Sequence, residues 1–231
     1  MESRPRVFPG AFSNRKAQTL AAELLKVSAE APEIAALRYA CDFIERGQVV
    51  GIPTDTYYGL AADPFNLAAV EQIYQIKGRP ENRALPILVN SIEQATGLAR
   101  DLPEIFPKLA RKFWPGALTL LVDASHQLPL KVTANTGRVA LRWPNAKIVT
   151  WLIEMLEGPV TGTSANISGF PPCSHCDQLV KQLGDRLPLI LDSGETGATL
   201  ASTIVDVQSN GWRIIREGII SEADIRAALE S

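Results

Sequence analysis

The sequence predicts an α/β fold: a twisted sheet of mixed parallel and antiparallel strands flanked by helices. Three observations predict it. Short apolar, β-branched runs alternate with amphipathic segments along most of the chain, which is the pattern of strands interleaved with helices. Apolar residues make up 46% of 231 residues, enough for one sizeable core. Several apolar runs also exit into Thr, Ser, Asp and Gly, where open α/β sheets often place ligands.

The elements follow in order. Residues 1–30 are polar and then weakly helical, with Phe12, Leu20, Leu24 and Leu25 as an apolar stripe. They are read as an N-terminal extension, helical in part, ahead of one domain over 31–231. Pro32 starts a stronger helix with Ile34, Leu37, Cys41 and Ile44 on one face, and Gly47 stops it. Gln48 to Ile52 is a buried strand leading into the loop Pro53-Thr54-Asp55-Thr56-Tyr57-Tyr58-Gly59-Leu60. Asn66 caps the next helix, with Leu67, Val70, Ile73 and Tyr74 inward. Lys77-Gly78-Arg79-Pro80 ends it.

Leu85 to Val89 is a strand broken by Pro86, which predicts an edge position. Two helices follow, one after Ser91 and one over Leu102 to Phe113. Trp114-Pro115-Gly116 stops the second. Ala117 to Val122 and Arg138 to Trp143 are strands, Ala146 to Leu156 is an amphipathic helix, and Pro159 to Thr163 is another strand. Strands over Leu187 to Leu191, Ser202 to Val207 and Trp212 to Arg216 complete the sheet. Ser221 and Asp224 form a capping box for a closing helix.

Charge and composition exclude some classes. The net charge is −2, so no global basic field draws the chain to nucleic acid. No apolar run reaches the length of a membrane span, and Met1 to Gly10 lacks the apolar centre of a secretory signal. Arg4, Arg6, Arg15 and Lys16 against Glu2 give a faint transit-peptide character. Three cysteines make no even disulfide framework, so a reducing cytoplasm is the expected location.

The chemistry concentrates in two stretches. Lys77 and Arg79 place two cations just past a helix end. Thr163-Ser164-Ala165-Asn166-Ile167-Ser168-Gly169 places small hydroxyl and amide residues just past a strand, where successive N–H groups can form an anion nest. Together they make a polyphosphate cradle. Each has a plainer reading, as a helix stop and as an Asx or Ser turn. Arg142, alternating with Val139, Leu141 and Trp143, either points to solvent or faces an anion in a pocket. Cys173 and Cys176 with His175 and the distant His126 offer too few ligands for zinc, so no metal site is expected. Loop thiols near a helix N-terminus are the alternative.

Taken in order, Pro53-Thr54-Asp55-Thr56 with Tyr58-Gly59-Leu60, then Lys77-Gly78-Arg79-Pro80, Trp114-Pro115-Gly116, Ser164-Ala165-Asn166 and Ser202-Thr203-Ile204-Val205-Asp206 resemble the YrdC-like family of threonylcarbamoyl-AMP synthases, also called TsaC. The resemblance runs from about Gly47 to Gly218. It implies a large, open, positively charged cavity and a nucleotidyltransferase that uses L-threonine, bicarbonate and ATP to make threonylcarbamoyl-AMP and pyrophosphate. The product serves the modification of adenosine 37 in tRNA. It implies ATP contacts at Lys77, Arg79, Ser164, Asn166 and Arg216, with Lys77 and Arg79 catalytic, and threonine contacts at Thr56, Arg142 and Ser202. Mg2+ comes with the phosphates, and no protein-held metal is implied. The implied partners are transferase proteins of the TsaD, TsaB and TsaE type; tRNA contact is indirect.

Two positions depart from the pattern of some relatives, Arg83 where they carry Asn and Leu88 where they carry His. Length resembles the short bacterial type. The alternative is a YrdC-like module that binds RNA in ribosome or tRNA maturation without making the adenylate. YciO-like paralogues look different where this chain has Ser164-Ala165-Asn166, and that run favours the synthase.

Overall fold

The structure is a computed structural model and describes residues 21–230. Its eleven strands form two mixed sheets with helices against them. Strands β1 (Glu23–Lys26), β2 (Val50–Ile52), β3 (Gly59–Ala61), β8 (Thr163–Ser164) and β9 (Leu189–Asp192) form a five-stranded sheet in the order β1-β9-β2-β3-β8. Strands β4 (Ile87–Leu88), β5 (Leu118–Asp123), β6 (Arg138–Arg142), β7 (Val160–Thr161), β10 (Thr203–Gln208) and β11 (Gly211–Arg216) form a six-stranded sheet in the order β11-β10-β5-β6-β4-β7. The first sheet pairs β1 with β9 and β9 with β2 in parallel, then turns antiparallel through β3 and β8. The second pairs β10 with β5 and β4 with β6 in parallel and the rest antiparallel.

The helices are α1 (Ile34–Glu45), α2 (Leu67–Lys77), α3 (Ile92–Gly97), α4 (Ile105–Phe113), α5 (Lys147–Met155), α6 (Cys176–Leu183) and α7 (Glu222–Glu230). Their local chemistry explains their ends. The Asn66 side chain accepts from the N–H groups of Ala68 and Ala69, capping α2, and Gly78 closes it at φ 56°, a left-handed turn that Gly adopts without strain. Ser221 Oγ accepts from the Asp224 N–H while the Asp224 carboxylate accepts from the Ser221 N–H, the reciprocal cap expected of this pair.

Four expectations are corrected. Leu24 and Leu25 lie in β1, not in a helix: β9 offers an open edge, and pairing satisfies the backbone of so short a segment. Phe12 and Leu20 lie outside the described residues. Strand β4 is not at an edge, because Pro86 precedes the paired residues and keeps only a carbonyl acceptor, which Gly162 N–H uses at 2.8 Å. Ile34 and Leu67 are 57% and 58% exposed, each being the first residue of its helix and so beyond the packed stripe. The loop after β2 ends in a strand of its own, since Gly59 and Leu60 pair with both β2 and β8.

One short segment ties the sheets together. Val160–Thr161 belongs to one sheet and Thr163–Ser164 to the other, with Gly162 between them. A Cβ on Gly162 would stand 2.3 Å from Leu88 Cγ, so only glycine permits this crossing. The core forms two clusters, each drawing residues from both sheets. One cluster holds Tyr58, Leu60, Ile73, Phe106 and Trp114, and a second holds Leu37, Ile44, Ile52, Leu152 and Leu189.

Candidate functional site

The loop between β2 and β3 lies between two cationic centres. Thr54 Oγ1 donates to the Tyr57 carbonyl at 2.7 Å and accepts from the Thr56 N–H at 3.1 Å, an internal brace that sets the loop's shape. One side of the loop meets β6 through Asp55 and Thr56. The other meets residues 165 and 173 through Tyr58, whose carbonyl accepts from Ala165 N–H and whose N–H donates to the Cys173 carbonyl.

The first centre is Lys77. It is the last residue of α2 and only 2% exposed. Its ammonium donates to the carbonyls of Ser164 and Asn166 and to Asn166 Oδ1, the last two at 2.8 and 3.2 Å. Ser164 Oγ donates to the same Oδ1, and the Asn166 amide donates to the carbonyls of Ile167 and Phe170. No carboxylate lies among its hydrogen-bond partners. Burial, and then the nearby Arg79 charge, push the Lys77 ammonium down to about 7.

This arrangement corrects the anion-nest reading of the 164–169 turn. The N–H groups of Ala165, Asn166, Ile167 and Ser168 donate to Tyr58 O, Ser164 O, Gln182 Oε1 and Lys77 O. The turn therefore presents oxygens to a lysine rather than N–H groups to an anion. The neighbouring Arg79 is half-buried and fixes its own loop, donating from Nε to Arg83 O and from Nη2 to Ala84 O. Burial lowers its pKa.

The second centre is Arg142, at the end of β6. Its side chain is 8% exposed, which excludes the solvent-facing alternative. It points at the loop because the strand's alternation turns it to the side where Asp55 waits. Nε donates to the Gly116 carbonyl at 3.0 Å, Nη1 to Thr56 Oγ1 at 2.9 Å and Nη2 to Asp55 Oδ1 at 2.6 Å. Three of five guanidinium N–H groups are thus used by described residues, and one on each terminal nitrogen is left. Burial pushes its pKa down while Asp55 opposes that shift.

Arg216, at the end of β11, donates to the Ser202 carbonyl at 2.7 Å and to Ser202 Oγ at 3.1 Å. Ser202 Oγ also bonds Thr119 Oγ1 at 2.8 Å. Desolvation and then the neighbouring Arg142 charge lower its pKa. Arg216 thereby links Ser202 to the Arg142 centre, and Tyr57 also lies near Arg216, its hydroxyl donating to the Thr199 carbonyl at 2.9 Å.

The site residues read from the sequence therefore fall into two groups. Lys77, Ser164 and Asn166 interlock, with Arg79 beside them. Thr56 bonds Arg142, and Ser202 bonds Arg216. Sequence reasoning did not assign Asp55, Tyr57 or Thr119. The carboxylate in Thr54-Asp55-Thr56 was the one available signal. Of the departing positions, Arg83 gives its carbonyl to Arg79 and Tyr74, and Leu88 is buried against the Gly162 crossing. Cys173 lies in the loop before α6 and Cys176 opens that helix, as the thiol reading expected, but both are buried, and burial pushes Cys176 up to about 12. Among the described residues no group of three or more His, Cys, Asp and Glu is placed to hold a metal ion.

The family model of Sua5, YciO and YrdC, described as Telomere recombination, matches residues 42–218. The chain belongs to the Sua5/YciO/YrdC family. It is 39% identical over 182 residues to the threonylcarbamoyl-AMP synthase of Pyrococcus abyssi, covering 79% of this chain and 54% of that one. A putative threonylcarbamoyl-AMP synthase of Mycobacterium tuberculosis is 38% identical over 186 residues, covering 80% of this chain and 85% of that one. The chain thus spans about half the length of the archaeal relative and most of the mycobacterial one. Among solved Sua5/YciO/YrdC structures, Pyrococcus abyssi Sua5 complexed with L-threonine aligns with a TM-score of 0.87 at 35% identity, covering 90% of this chain and 61% of that one. Escherichia coli YciO aligns with a TM-score of 0.81 at 19% identity, a likeness of fold alone.

Proposed function

We propose that this chain is a threonylcarbamoyl-AMP synthase, a nucleotidyltransferase that joins L-threonine, bicarbonate-derived carbon dioxide and ATP. One observation carries the reading: four cations, Lys77, Arg79, Arg142 and Arg216, gather about the loop after β2 with a single carboxylate, Asp55, bonded to any of them among the described residues. Positive charge in such excess, buried at Lys77 and Arg142, matches a polyanionic substrate.

The chemistry asks little of a protein nucleophile. The threonine amine adds to carbon dioxide and loses a proton to give a carbamate. A carbamate oxygen attacks the α-phosphorus of ATP, forming the P–O bond as the bond to pyrophosphate breaks. Such a step needs alignment and neutralisation of charge on the phosphoryl oxygens. Arg79 supplies fixed positive charge for the triphosphate and Lys77 a charge that the triphosphate itself favours, beside Ser164 and Asn166, and Arg216 adds a further contact. Arg142 offers its remaining N–H groups as a fork for the threonine carboxylate, beside Thr56 and Ser202. Magnesium enters with the triphosphate as part of the substrate. The adenylate then passes to transferases of the TsaD, TsaB and TsaE type for tRNA, in the cytoplasm; no described helix is long and apolar enough to cross a membrane.

The deciding experiment is pyrophosphate release from ATP with threonine and bicarbonate supplied together and separately. Release that requires both is the expected result. No release from a protein that binds RNA with a steep salt dependence would replace this reading with the RNA-binding one.

A further inference from the structure

Asp55 is the one carboxylate in the cationic site, and a tether for Arg142 would not need its remaining features. Its Oδ1 accepts from Arg142 Nη2 at 2.6 Å and its Oδ2 from the Asn145 N–H at 3.0 Å, so each oxygen keeps a free lone pair. The side chain retains 15% exposure, against 8% for Arg142. It borders a groove of about 390 Å3 lined also by Thr54, Asn145, Ser193, Glu195 and Thr196, and Arg142 reaches Asp55 from outside that lining.

The two groups also have the spacing of an amino acid. Acceptors on the two hydrogens of one guanidinium nitrogen, each about 2.8 Å away, stand about 5 Å apart. Asp55 takes one hydrogen of Nη2 and leaves the other. A carboxylate oxygen on that second hydrogen would lie about 5 Å from Asp55 Oδ1. The ammonium nitrogen of an α-amino acid lies about 3 Å from its own nearer carboxylate oxygen, by ordinary covalent geometry, and so falls within hydrogen-bond reach of Asp55.

We propose that Asp55 and Arg142 together read the zwitterion of the amino-acid substrate, Arg142 taking the carboxylate and Asp55 accepting the α-ammonium. The proposal rests on the synthase reading and deepens its threonine subsite. Asp55 is then a specificity-determining residue. It selects an amino acid over its des-amino analogue, and the neutral amine needed for carbamate formation arises when the ammonium passes its proton to bicarbonate, which becomes carbon dioxide and water.

The test is calorimetric titration of the full chain with L-threonine and with (R)-3-hydroxybutyrate, which keeps the carboxylate and hydroxyl but has hydrogen in place of the ammonium. Native protein is expected to prefer threonine by about tenfold or more, the worth of a charge-assisted hydrogen bond. In Asp55→Asn, threonine affinity should fall by that factor while hydroxybutyrate affinity holds, so the preference collapses. Asp55→Glu should restore part of it. Equal weakening of both ligands would overturn the proposal and leave Asp55 a positioning residue for Arg142. So would a native protein that binds both equally or binds neither. If the Asn variant does not fold, the native ratio decides. Failure of the synthase reading is seen separately, as absent threonine-dependent pyrophosphate release.

Discussion

The two centres of the site solve the problem of a buried cation in opposite ways. Arg142 carries its counter-ion with it: Asp55 offsets the charge, and the guanidinium stays ionised with two N–H groups to spare. Lys77 has no carboxylate. Three neutral oxygens use its three protons, and burial brings its pKa down to about 7. A compensated cation with spare donors suits a small substrate that must be oriented. An uncompensated one at the edge of ionisation suits a polyanion, whose arrival supplies the missing negative charge.

Removing either cation should therefore have different consequences, largest at Lys77. Lys77→Ala leaves a cavity and three buried oxygens short of a donor, at a cost of about 3 kcal/mol or more. A lysine that only met an anion across a cavity could be removed with folding intact; at 2% exposure Lys77 does not have that freedom. A melting temperature lowered by many degrees is expected. A native-like melting curve with lost activity would return Lys77 to a purely ligand-facing role. Arg79→Ala, which frees only Arg83 O and Ala84 O in a half-buried loop, should melt close to the native protein.

Arg142→Lys keeps the charge and loses the fork. The threonine KM is expected to rise about 10- to 100-fold, with ATP affinity little changed. An equal loss for both substrates would mean that the two centres act as one.

The smallest effect is a pH signature. Lys77 in the free protein loses its proton as pH rises through about 7, and the negative charge of a bound triphosphate would raise its pKa again. ATP binding at pH 8 should then take up a proton, seen by calorimetry in buffers of different ionisation enthalpy, and none at pH 5.5. The same group gives a stability trend. The unfolded chain holds this proton up to about 10.4, so it binds more protons than the folded chain between there and about 7, and stability from this group rises with pH across that window. Lys77→Met should flatten both trends. Uptake that persists in Lys77→Met would assign it elsewhere.

Much of the scaffold was legible in short stretches. Asn66 and Gly78 bound α2 by capping chemistry within a few residues, and Ser221 and Asp224 do the same for α7. The apolar runs at 117–122, 138–143 and 202–207 sit in adjacent strands of one sheet. The site's outline was legible too, as Lys77, Arg79, Arg142 and the 164–166 turn. The direction of its hydrogen bonds was not. The turn gives oxygens to Lys77, because Tyr58, Gln182 and Lys77 main-chain and side-chain acceptors already use its N–H groups.

What the sequence determined by itself is what a few neighbouring residues decide: helix ends, buried strands, and the two cations Lys77 and Arg79 at one helix end. What only the tertiary structure decided is which groups face each other over long separations. Asp55 meets Arg142 across 87 positions and Lys77 meets Asn166 across 89. Thr161 and Thr163 enter different sheets although one residue separates them. The physical reason is the same throughout. Local propensity acts over one turn or one strand, whereas a buried charge is satisfied by whatever the packed chain brings within hydrogen-bond distance.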